Sequence, residues 1–157
     1  AVVAGILFYG PLDRRFDTRK WVVVAGTVVT VGLLTALALL PEAPLWLAAA
    51  LLVAFILCTS HYVLIVPHGK AFFPERLVGR TVTAVNLVVF VGVAALQSAT
   101  GILVGAFPEA AGGGAPEIAY RAVFAFLALC MIVALALYLR SEDVKPSEEK
   151  NRALQAD

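Results

Sequence analysis

The chain has 157 residues, of which 61% are hydrophobic and 15% are charged, with a formal net charge of +1. A soluble domain of this length spends about a quarter of its residues on charge and spreads its apolar residues over one core. Here they fall in long blocks, which argues against a soluble fold and for an all-α, polytopic transmembrane helical bundle.

The blocks are judged against the roughly 20 residues a helix needs to cross about 30 Å of hydrocarbon. Residues 1–10 are apolar but too short, and are read as the end of a partial span; they lack the basic start and small-residue cleavage site of a signal peptide. Residues 22–40 form the first complete span, uncharged throughout, followed by a turn at Pro41-Glu42-Ala43-Pro44. The second, 45–66, carries His61; the third, 81–107, carries Asn86 and Gln97 and is long enough to tilt; the fourth, 119–139, carries Arg121, close enough to its end to reach headgroups. The transmembrane region thus covers residues 1–140, and residues 141–157 form a charged tail with little to bury.

Alternating spans place eleven of the twelve basic residues on one side, with Arg121 alone on the other. The positive-inside rule assigns the basic side, and with it the C-terminus, to the cytoplasm of a cell (inner) membrane. Trp21, Trp46, Tyr120 and Tyr138 fall at span ends, where amphipathic rings settle among headgroups. Cys58 and Cys130 lie inside spans as small apolar fillers, and the histidines and thiols have no metal-ligand spacing. Neither metal nor cofactor is expected.

Two connections on the basic side carry motifs. The first reads Gly10-Pro11-Leu12-Asp13-Arg14-Arg15-Phe16-Asp17-Thr18-Arg19-Lys20, where Gly and Pro break the helix and the charges of Asp13, Arg14, Arg19 and Lys20 can latch neighbouring helices or simply anchor the loop. The second reads His68-Gly69-Lys70-Ala71-Phe72-Phe73-Pro74-Glu75-Arg76-Leu77-Val78-Gly79-Arg80 and runs on to Asn86.

The first connection resembles the hallmark loop of the major facilitator superfamily, Gly-x-x-x-Asp-Arg-x-Gly-x-Arg-Arg/Lys. Its Gly-to-Asp spacing is one residue short, and Phe16 or Asp17 stands in place of the second Gly, as suits the degraded copy between helices 8 and 9. The second connection looks like the linker before helix 11 in bacterial members. Gly92, Gly101 and Gly105 match the glycine spacing of the family's antiporter motif in helix 5, whose pseudo-repeat is helix 11, although Ala106-Phe107 replaces the Gly-Pro that follows it there. The resemblance implies that residues 1–10 end helix 8 and that the four spans are helices 9 to 12, part of the C-terminal six-helix half of the fold. It also implies that Asp13, Arg14, Arg19 and Lys20 form a gating loop, with Glu75, Arg76 and Arg80 in the second loop, and that helices 10 and 11 approach the central cavity. Intramembrane polarity is distributed in the same way, since the two middle spans hold His, Asn and Gln.

Polar groups in a membrane usually face a bundle interior or a wet cavity. Asn86 and Gln97 are about three turns apart on nearly one face, with Phe90 between them. They either offer amides to a solute or bond to neighbouring helices. Gly92, Gly101 and Gly105 suit a close helix-packing seam. His61 is either a carrier of a coupling proton or a neutral imidazole held between helices, with Tyr62 as its companion at the cavity.

Two functions remain open. One is the C-terminal fragment of a secondary active transporter that moves a small solute, with or without a proton or ion, by alternating access together with a missing N-terminal half. The other is a membrane structural or assembly subunit. No enzyme is expected, because no nucleophile–base arrangement is present, and the partners are the lipid bilayer and a solute, not nucleic acid.

Overall fold

A computed structural model describes residues 2–9, 11–41, 43–70, 72–73, 75–110, 112–143, 145 and 147, and gives no side-chain description for Asp13, Arg14 and Glu75. The tail expected over 141–157 therefore lies outside the described residues after Ser147.

The helices in order are α1 (Val2–Tyr9), α2 (Leu12–Phe16), α3 (Lys20–Leu39), α4 (Leu45–Thr59), α5 (Ile65–Lys70), α6 (Val78–Gly105) and α7 (Glu117–Tyr138), with 3-10 turns at Ser60–Leu64 and Glu75–Leu77. Four segments are long and apolar enough to cross a membrane: Lys20–Leu39, Leu45–Lys70, Val78–Gly105 and Glu117–Tyr138. They begin within three residues of the expected spans. The second runs four residues further than the expected 45–66, which takes His68 out of the linker and into the helix.

Inside α3 the hydroxyls turn back on their own helix, Thr27 donating to the Val23 carbonyl, Thr30 to Gly26 and Thr35 to Val31, each at 2.8 Å. Such back-bonding satisfies a hydroxyl where no water is available. It lets Thr30 lie fully buried beside Leu34.

The second span is broken in its middle for reasons written in its sequence. Thr59 donates to the Phe55 carbonyl at 2.9 Å, Ser60 to Ile56 at 3.1 Å and the His61 ring to Cys58 at 2.7 Å, so three consecutive side chains draw on the carbonyls of the preceding turn. Pro67 then has no N–H to offer the carbonyl four residues before it. The chain answers with the tighter 3-10 turn Ser60–Leu64 before resuming as α5.

The most extensive packing is between antiparallel α3 and α7, with α4 against α3, and α1 against α4 and the 3-10 turn. Val22, Val23 and Leu64 form the tightest cluster, with Tyr9, Leu12, Val63 and Tyr138 packed on it. α6 touches α5 and α7 but has no buried residue.

Candidate functional site

Three places concentrate polar chemistry. The first is the break in the second span. His61 is 4% exposed, yet it meets α3 directly because residue 26 is Gly: a Cβ there would stand 2.7 Å from the imidazole Cγ. The Cys58 carbonyl can only accept, so Nδ1 carries the ring hydrogen; Nε2 lies 3.1 Å from the Thr27 Oγ1, whose single hydrogen is divided between Nε2 and the Val23 carbonyl. A neutral imidazole fits both contacts through a three-centre bond from Thr27. Tyr9 lies edge-on to the ring. One edge of His61 lines a 350 Å³ cleft with Thr27, Thr59, Tyr62, Met131 and Tyr138, none of which carries a fixed charge.

The second place is the basic face. His68 is 2% exposed and takes the opposite tautomer: Nε2 donates to the Glu142 carbonyl at 3.0 Å, and Nδ1 accepts from the Tyr138 hydroxyl. Lys20 Nζ donates to the carbonyls of Leu139 at 2.9 Å and Ser141 at 2.7 Å, just beyond the last turn of α7. In return Asp143 accepts from the Lys20 amide at 3.2 Å and from the Thr18 hydroxyl at 2.6 Å, at the first turn of α3. The charges complement both helix dipoles. Arg19 reaches the Pro67 carbonyl at 3.5 Å. Further out, Ser147 donates its amide and hydroxyl to Asp17. These two bonds hold the Asp17 carboxyl below the usual carboxylate range. Their contribution is present above the unfolded value and is lost as pH falls through the lowered one.

The third place is the exposed face of α6. Asn86, Phe90 and Gln97 are all exposed. The hydroxyls of Thr81, Thr83, Ser98 and Thr100 are taken up by carbonyls of the same or the preceding turn. Beyond Arg80 at its start, the two amides are the polar side chains of this helix that find no hydrogen-bond partner among the described residues.

A scan against protein-family models matches the Major Facilitator Superfamily over residues 1–156. The chain belongs to the major facilitator superfamily. No curated protein and no solved structure matches it.

Membership in the major facilitator superfamily fits one local detail of the first connection. Asp17, one of the two residues standing where the family loop has Gly, holds φ 48°, in the left-handed region that Gly favours and Asp tolerates. Of the expected site residues, His61 and Tyr62 share the central cleft, whereas Asn86, Phe90 and Gln97 lie apart on α6. Lys20 and Arg19 latch α3 to α7 and to the second span, while the side chains of Asp13, Arg14 and Glu75 lie outside the described residues. Arg76 and Arg80 are exposed. Gly92, Gly101 and Gly105 have open space where a Cβ would stand, so the seam they suit is not filled by the described residues of this chain.

Gly26, Thr27 and Asp143 join the site only in the structure, as does His68, which stands in the sequence as the start of the second connection. An intramembrane histidine needs a hydroxyl or carbonyl partner, and Thr27 in a neighbouring span could have been sought on that ground. Arg121 Nε donates to the Ala38 carbonyl at 2.8 Å and covers the last turn of α3. Among the described residues no group of three or more His, Cys, Asp or Glu gathers as a metal site.

Proposed function

We propose that the chain is the C-terminal portion of a secondary active transporter, from the end of helix 8 through helix 12, and that it moves a small solute by alternating access. α3 to α7 then supply helices 9 to 12, with the broken α4–α5 segment as helix 10. The basic face is the cytoplasmic side of the cell's inner membrane, in keeping with the positive-inside rule. The observation that carries the solute reading is α6. Its amides have no partner among the described residues, and exposing an amide to hydrocarbon is costly enough to require a wet cavity or another helix.

The test is a thermal-shift screen of the full-length protein against sugars, organic anions and cationic drugs, followed by uptake into proteoliposomes. With the solute found, Asn86→Ala and Gln97→Ala are each expected to raise KM up to about tenfold, the worth of one hydrogen bond, with the thermal transition unmoved. Loss of stability at unchanged KM would show that the amides bond to other helices instead.

His61 is read as the neutral cross-link between α3 and the second span. Both ring nitrogens are engaged, and among the described residues no carboxylate lines the cleft to stabilise an imidazolium. His61→Gln is accordingly expected to leave the pH profile of uptake in place. A profile flattened by that substitution would restore the proton-carrier role.

A further inference from the structure

The bonds at the basic face converge on one short stretch of chain. Within Leu139 to Ser147, of which Val144 and Pro146 lie outside the described residues, the carbonyls of Leu139, Ser141 and Glu142, the carboxylate of Asp143 and the Ser147 side chain all bond to other elements. Their partners are Asp17, Thr18 and Lys20 before and at the start of α3, and His68 in α5. The geometry points to a strap: residues 139–143 and Ser147 fasten α3, α5 and α7 into one body at the basic face of the membrane.

The fastening is reciprocal. α3 has no side-chain cap from its N-cap residue Arg19, so its first amides depend on Thr18, which accepts from Trp21 at 3.3 Å, and on Asp143, which accepts from Lys20. Among the described residues the end of α7 finds its basic partner across the interface, in Lys20, since its own last turn contains none. Each helix therefore lends the other the charge its terminus calls for. At the opposite end of the same antiparallel pair, Arg121 of α7 performs the corresponding task for the Ala38 carbonyl of α3. The pair is clamped at both ends, and the strap extends the clamp to α5 through His68. The fastening does not depend on what the protein carries.

Hydrogen exchange of the full-length protein in lipid nanodiscs, followed by mass spectrometry, tests it. Asp143→Ala is expected to speed exchange roughly fivefold in residues 18–22, the effect of losing one helix cap, and to speed exchange in residues 65–70 and 139–143 as well. Lys20→Met is expected to open the same three segments. Arg121→Met is expected to act only at residues 36–40 and 117–123. Faster exchange confined to residues 141–147 would overturn the strap, as would an Arg121→Met protein that opens residues 18–22 equally. Should Asp143→Ala fail to fold, Asp143→Asn and Lys20→Met are read by the same criteria.

Discussion

Gly26→Val is expected to be among the most damaging single substitutions in the chain, lowering stability by about 3 kcal/mol, the upper part of the usual overpacking range. The missing Cβ would stand 2.7, 2.8 and 2.9 Å from Cγ, Nδ1 and Cβ of His61. The ring has no easy retreat, because it is 4% exposed and tied to Cys58 on one side and Thr27 on the other. Moving it breaks at least one of those bonds, and a buried polar group left unpaired costs about 1–3 kcal/mol. Thermal unfolding of the full-length protein in detergent measures the loss. Pairing Gly26→Val with His61→Ala should recover much of it, whereas Gly32→Ala, where an added Cβ meets nothing, should cost nothing. An unchanged transition for Gly26→Val would mean that α3 does not rest on the imidazole.

The second large effect belongs to His68. His68→Ala is expected to cost about 2–4 kcal/mol, combining a cavity with two abandoned hydrogen-bond partners. The Tyr138 hydroxyl and the Glu142 carbonyl both lose their partner, and Phe72, which packs beside the ring, loses its neighbour. Tyr138→Phe removes a single bond and should cost less, about 1–2 kcal/mol. The double variant should fall short of the sum, since residues in contact do not act additively. Strict additivity in the same unfolding assay would show that the two side chains do not act through each other.

The spans were legible because hydrocarbon imposes a length and a composition that any reader of Val22, Leu45 or Val82 onward can count. Their ends were less so: Pro67 and the basic residues after it looked like a linker, and only packing reveals that His68 is buried. The candidate site divided along the same line. His61, Asn86 and Gln97 stand out as costly polar residues in apolar blocks. Gly26 does not, because its role is set by an imidazole 35 positions later in the chain. Asp143 is hidden for the same reason. In the sequence it is one acid in a charged tail, and it becomes a helix cap only when α7 returns to the level at which α3 begins.

That return has a consequence for how the protein is made. Asp143 follows Lys20 by 123 residues. At roughly 5–20 residues per second, the first turn of α3 waits about 6–25 s on the ribosome before its cap is synthesised. During that interval α3 sits in the bilayer with its entry unsealed. The basic face of α3 is sealed only after α7 has been made, so a reporter fused upstream of Ser147 would interrupt that step, whereas one fused well beyond it would leave the step untouched.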